Sequence, residues 1–320
     1  MHLIRSLNRA IGQASQLVYG CMGLGGGWND NALTKDDIHQ AEQIIDTCLD
    51  HNITVFDHAD IYTFNKAEKV FGQILKSRPG LREQMVLQSK CGIRFADEYG
   101  PKRYDFSAEW LTTSVQGILQ RLNIDYLDIL LLHRPDPLME LHETAQALNQ
   151  MHAQGLFKAI GVSNMSVVQI EFLQSALGMP ITVNQVECGL HHLALLDQQV
   201  IGNDAQYPSY NTFSGMLEYS QTQGVQLQAW GALSQGRYSR PQTDVEHRVH
   251  KVLAECALHH GVSIEAVQLA FLKRHPANIQ PVIGTTNINR IRECSKLANI
   301  ILSREEWYKL LQAARNAELP

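Results

Sequence analysis

The chain offers little to a polyanion or a bilayer. Charged residues make up only 18% of its 320 positions, and 27 lysines and arginines stand against 32 acids for a net charge of -5, so no partner among nucleic acids or anionic membranes is expected. No window approaches the roughly 18 apolar residues needed to cross a bilayer, and Met1-His2-Leu3-Ile4-Arg5-Ser6 lacks the apolar run of about 7 to 15 residues that marks a secretory signal. The six cysteines include no Cys-x-x-Cys pair, and several lie in apolar runs as free thiols do, which fits a reducing, cytoplasmic compartment; no metal is expected. A dinucleotide fingerprint is missing too. Gly23-Leu24-Gly25-Gly26-Gly27 runs into a polar loop, not directly into a helix. No repeat, linker or shift in composition divides residues 1–320, so a single domain is expected.

What is present is alternation. Hydrophobic residues reach 44%, enough for a large core. They fall in short strand-like runs separated by stretches of helical spacing. Ile38, Ala41, Ile44, Ile45, Cys48 and Leu49 repeat as one helix face, and the run Thr54-Val55-Phe56 follows. A strand begins earlier, at Leu17 to Gly20, and the pattern recurs with Met85 to Lys90, Leu127 to His133, Phe157 to Val162, Ile181 to Val186, Val225 to Trp230 and Pro281 to Ile283. Helices are predicted between them, near 142–154, from the Ser166 and Gln169 capping box to Gly178, over 215–223, 246–260 and 263–274, and from Arg290 to Ala298. About eight βα units with apolar strands predict an α/β fold, a closed parallel (β/α)8 TIM barrel. An extra C-terminal helix opens at Ser303 with Glu306, and residues 1–16 can form an N-terminal hairpin. The irregular stretch 191–210 reads as an excursion loop.

Three of the strands end in an ionisable side chain. Val55-Phe56 ends in Asp57, with Tyr62 five residues later; Val86-Leu87-Gln88-Ser89 ends in Lys90; Leu127 to Leu132 ends in His133. Each has an ordinary reading as a turn acid, a loop aromatic, a solvated cation or a core histidine. Together, at the strand ends where barrels carry chemistry, they suggest one cluster. Buried behind apolar strands, Lys90 and His133 need pairing, and Asp57 is the available counter-ion. A lysine so paired and pointed at Tyr62 would stabilise its phenolate, letting the phenol pass a proton to a developing alkoxide, with His133 hydrogen-bonding the same oxygen. This suits reduction of a small-molecule carbonyl by a hydride from elsewhere.

The motifs around these residues resemble the aldo-keto reductase family over nearly the whole chain. Asp57-His58-Ala59-Asp60-Ile61-Tyr62 with Glu68 and Gly72 is similar to one family signature, with Thr63 in place of the usual glycine. Leu119 to Leu122, Asp125 to Asp128 and His133-Arg134-Pro135-Asp136 resemble a second, and Ile160 to Asn164 a third. The resemblance implies a (β/α)8 barrel, NADPH as cofactor, and a catalytic tetrad of Asp57, Tyr62, Lys90 and His133. It further implies that Ser163, Asn164 and Gln185 hold the nicotinamide carboxamide, that Trp230 stacks on its ring, and that the turn with Gly231, Leu233 and Gly236 lies along the pyrophosphate. Gly284, Thr285, Thr286, Arg290 and Glu293 would line the adenosine phosphate region, with Arg290 on the 2'-phosphate. By residue type alone, Asn164 could be a helix cap and Trp230 barrel core. Gly284 and Cys294 depart from the lysine and asparagine common in the family. Trp28, Phe95 and Tyr99 are aromatic candidates for a substrate rim that would suit a hydrophobic aldehyde or ketone. Two other functions fit the same residues: an NADPH-binding regulatory subunit with little turnover, and a Schiff-base lyase with Lys90 as nucleophile. Oligomeric state is not legible.

Overall fold

The computed structural model describes residues 7, 11–12, 14–201 and 213–320. Two short strands, β4 (Ile93–Arg94) and β5 (Arg103–Tyr104), stand apart as an antiparallel hairpin. Eight parallel strands close into a barrel: β1 (Val18–Gly20), β2 (Val55–Asp57), β3 (Val86–Cys91), β6 (Leu127–Leu132), β7 (Phe157–Ser163), β8 (Ile181–Glu187), β9 (Gln226–Trp230) and β10 (Gln280–Ile283), which pairs back onto β1. Both faces of each barrel strand are covered, which is why they read as apolar runs. The outward faces pack on α1 (Lys35–Asp50), α2 (Lys66–Ser77), α3 (Ala108–Leu122), α4 (Leu141–Ala153) and α5 (Val167–Gln174). After β8 come α6 (Ala194–Asp197) and α7 (Met216–Gln223), then α8 (Asp244–His260), α9 (Ile264–Arg274), α10 (Ile288–Ser295) and a last helix, α11 (Arg304–Arg315). Among the described residues no helix is long and apolar enough to cross a membrane.

Local chemistry explains most boundaries. Thr34 with Asp37, Ser166 with Gln169, Thr243 with Glu246 and Ser303 with Glu306 each form a reciprocal capping box, satisfying helix-start N–H groups that have no partner within the helix. Helix α5 stops at Gln174, short of the expected Gly178. The Gln174 side chain accepts from Ile181 N at 2.7 Å and donates to Met179 O at 3.0 Å, replacing the next helical turn with a bridge into β8. Helix α10 begins at Ile288 because Asn287 caps it, and it tightens into a 3-10 turn over Lys296–Asn299. The β4–β5 hairpin lies outside the expected pattern; Arg94 and Arg103 both pair with Asp97 to hold it. The hairpin expected in residues 1–16 falls largely outside the described residues. Of those described there, Leu7 and Ile11 are helical, and Leu7 is buried against the barrel floor. The excursion loop over 191–210 is described only to Ile201 and contains α6.

Period-two alternation stacks the barrel interior in layers. Val18, Val55, Val86, Ile129, Ala159, Val183 and Val282 form an apolar floor. Two residues further along β2, β3 and β8 stand Asp57, Gln88 and Gln185, and Gln228 of β9 joins them in a buried polar layer. Above it, at the strand ends, are Lys90, His133, Ser163 and Trp230.

Candidate functional site

Strands β2 and β3 are in register at Asp57 and Gln88, so Asp57 and Lys90 rise from adjacent strands. Lys90 Nζ donates to Asp57 Oδ2 at 2.6 Å, to the His58 carbonyl at 2.9 Å and to Tyr62 Oη at 3.0 Å. An ammonium has three hydrogens, and all three are used. The pair is fully enclosed, with Lys90 at 0% exposure, a setting in which an unpartnered cation would not persist. Burial lowers the Lys90 pKa, but Asp57 and Tyr62 outweigh it and the net shift is upward. Contrary to the expectation from sequence, Lys90 does not make Tyr62 more acidic than a free phenol. Burial raises the phenol, Lys90 lowers it and Asp57 raises it again, so that Tyr62 ends above its ordinary value. It stays protonated, as a proton donor must. An alkoxide is basic enough to take its proton regardless.

His133 closes the group, its ring edge-on to Tyr62 with centroids 6.0 Å apart. Burial, then Lys90, Arg134 and Lys102, hold its pKa well below the usual histidine range, so it is neutral. Strand β6 delivers it: His133 N donates to Cys91 O at 2.9 Å, continuing the β3–β6 ladder past the strand end.

A second cluster lies across the mouth. Ser163 Oγ donates to Gln185 O at 2.8 Å, Asn164 Nδ2 to Ser163 Oγ at 2.8 Å, and Trp230 Nε1 to Asn164 Oδ1 at 3.3 Å. Asn164 sits at φ 58°, left-handed, and the cap of α5 is Ser166; the helix-cap reading of Asn164 is therefore excluded. Nor is Trp230 simple core, since it walls a cavity of about 350 Å³ together with Asp57, Tyr62, His133, Asn164 and Gln185. Asp57, Tyr62 and His133 of the expected tetrad thus face one space with the carboxamide trio, and Lys90 stands behind them, bonded to Asp57 and Tyr62. Trp28, Met22 and Ile61 give it an apolar wall, and Arg134, 5.9 Å over the Trp230 ring, adds a cation.

The remaining expected contacts extend away from it. Gly231 and Gly236 hold φ of 72° and 79° around Leu233 in the turn after β9, a backbone that suits glycine. Gly284 lines the cavity, and Thr285 Oγ1 accepts from Asn287 N at 3.2 Å. Thr286 packs near Gly23. Arg290 is half-exposed with Nε 3.7 Å from Glu265, while Glu293 pairs with Lys296 at 2.6 Å. Of the aromatic rim, Trp28 reaches the cavity, and Phe95 contacts it through Phe64, whose ring lies 5.6 Å from Trp28 and 5.3 Å from Phe95. Tyr99 points to solvent at 79% exposure. Sequence reasoning gave no role to Arg134, Glu265, Gln88, Gln228 or Gln280. The glutamines had a signal: Gln88 and Gln228 occupy inward positions of buried strands, two residues before Lys90 and Trp230.

A model of the aldo/keto reductase family fits residues 16–315. The chain belongs to that family. It is 35% identical to a 6-dehydroglucose reductase of Agrobacterium fabrum, covering 96% of each chain, and 32% identical to one of Novosphingobium aromaticivorans, covering 91% of this chain and 90% of the relative. Among solved structures, an aldo-keto reductase from Klebsiella pneumoniae in complex with NADPH superposes with a TM-score of 0.69 at 24% identity, over 96% of this chain and 92% of that one.

Proposed function

We propose that this aldo/keto reductase is an NADPH-dependent oxidoreductase that reduces the carbonyl of a polar, hydroxylated aldehyde to an alcohol, with Tyr62 as general acid. One observation carries the reading: the Tyr62 hydroxyl, 3.0 Å from a buried ammonium, opens into a cavity that also holds a neutral His133. The donor set suits the cofactor. Ser163, Asn164 and Gln185 offer hydroxyl and amide groups side by side, as a carboxamide requires, next to an indole pinned at its nitrogen. When bound, NADPH would supply a hydride to the carbonyl carbon. This chain's residues do the rest. Tyr62 and His133 hold the carbonyl oxygen, and as negative charge grows there Tyr62 gives up its proton. Lys90 stabilises the phenolate left behind, and Asp57 fixes Lys90. Gly231, Leu233 and Gly236, with Gly284, Thr285, Thr286, Arg290 and Glu293, would carry the phosphates and adenosine, and Arg290 favours a 2'-phosphate. The three-way bonding of Lys90 opposes the lyase reading, because a Schiff base needs that amine neutral and unpaired.

The substrate class rests on Arg134 and on the two relatives named for 6-dehydroglucose reduction. A sugar aldehyde presents hydroxyls to Arg134 and Asn164 and its C–H face to Trp28. Loss of NADPH absorbance should be faster with a dialdehyde sugar than with benzaldehyde or hexanal at equal concentration, and Arg134→Ala should raise KM for the sugar alone. Equal rates across the panel would overturn the polar-substrate reading, and no turnover with any carbonyl would favour the regulatory subunit.

A further inference from the structure

Barrel interiors are ordinarily filled by branched aliphatic side chains, yet here four glutamines, each no more than 6% exposed, meet in the middle: Gln88, Gln185, Gln228 and Gln280. Gln88 Nε2 donates to Asp57 Oδ1 at 2.5 Å and to Gln228 Oε1 at 2.9 Å. Gln228 Nε2 donates to Gln88 Oε1 at 3.1 Å and to Gln280 Oε1 at 3.0 Å. Gln185 Nε2 donates to Gln228 Oε1 at 3.0 Å, and Gln280 Nε2 to the Ser15 carbonyl at 2.5 Å.

The two ends of the network settle its direction. A main-chain carbonyl at one end and a carboxylate at the other can only accept, so each amide must present its nitrogen as described, and turning any one round would set oxygen against oxygen. An apolar layer of the same volume would carry no such demand for mutual satisfaction. The network joins two places that the proposed reaction needs in register. At Asp57 it fixes the carboxylate oxygen not used by Lys90. At Gln185 it takes up the amide nitrogen, leaving Oε1 for the cavity that this residue lines.

We propose that Gln88 and Gln228 are positioning residues, which lock the Asp57 carboxylate and the Gln185 amide into one hydrogen-bonded unit and so align the proton donor with the nicotinamide carboxamide. This rests on the reductase reading. Gln88 acts through Asp57 and Lys90 on Tyr62; Gln228 acts on both arms.

The test compares Gln88→Leu, Gln228→Leu and the double variant by kcat, carbonyl KM, NADPH affinity from tryptophan quenching, and thermal midpoint. Gln88→Leu should lose about tenfold in kcat with KM and NADPH affinity within about twofold of wild type. Gln228→Leu should lose kcat similarly and also bind NADPH about fivefold more weakly. The double variant should fall no further than the worse single, because the residues act as a unit. If either leucine variant does not fold, Gln88→Met and Gln228→Met, closer in length, replace them. A layer that only fills space predicts lower thermal midpoints with kcat and NADPH affinity unchanged, and that result, or multiplicative losses, would overturn the proposal. Should the wild type bind NADPH and reduce nothing, the reductase reading fails separately, and the relay still stands or falls on whether Gln228→Leu weakens NADPH where Gln88→Leu does not.

Discussion

Tyr62, Lys90 and His133 each owe their protonation state to burial and to one another, and the consequence is a site with nothing to titrate near neutrality. His133 is held neutral from well below its ordinary value, while Lys90 and Tyr62 are shifted upward from theirs. The rate of carbonyl reduction should therefore be flat between about pH 7 and 9 and fall only where Tyr62 loses its proton above about 10. A kcat profile with a break near pH 6 to 7 would place a titrating histidine in the mechanism instead. Arg290 presents a different case, since its partner, Glu265 at 3.7 Å, is an acid that a 2'-phosphate would displace. Arg290→Ala should lower kcat/KM for NADPH about tenfold or more while changing that for NADH little. An unchanged ratio between the cofactors would reduce Arg290 to a partner of Glu265.

At the scale of elements, the close crossing of α2 and α3 depends on a single glycine. A Cβ added at Gly72 would overlap the Arg121 carbonyl oxygen, and the same helices are tied by Arg121 Nε to the buried Glu68 at 2.7 Å. Gly72→Ala should cost roughly 2 to 3 kcal/mol, read as a lower denaturation midpoint, because the helices must part to admit the methyl group. A midpoint within experimental error of wild type would show that the crossing is looser than drawn. Helix starts were the most legible feature of the sequence: a hydroxyl followed three residues later by an acid or amide is a local signal, and it correctly marked Ser166 and Ser303. Helix ends were less so. The stop of α5 depends on Gln174 reaching Ile181 and Met179, and the β4–β5 hairpin on Arg94 and Arg103 sharing Asp97; both are contacts that no spacing announces. The last helix is similar, with Glu306 serving its capping box and also pairing with His259 at 2.8 Å and His260 at 3.0 Å.

The whole barrel is what makes four distant residues into one group. Closure brings the ends of β2, β3 and β6 to one rim and those of β7, β8 and β9 to the facing side, and the alternation that hides valines on the floor raises Lys90 and His133 above it. The eight-unit count and the residues at the strand ends could be read from the chain because both follow from period-two burial. The sign of the Tyr62 shift could not, because it depends on how much of the phenol is desolvated against how near the ammonium stands. The glutamine layer escaped notice for a related reason: amides in buried strands gain meaning only when strands far apart in sequence meet. What the fold finally delivers is one hydroxyl at the mouth of one cavity. The direct measurement is a single-turnover reduction of a reactive aldehyde by NADPH-loaded Tyr62→Phe, with cofactor affinity measured on the same sample. NADPH should bind within about twofold of wild type while the rate of its oxidation falls by at least about a hundredfold; oxidation at the wild-type rate would mean that the proton comes from elsewhere.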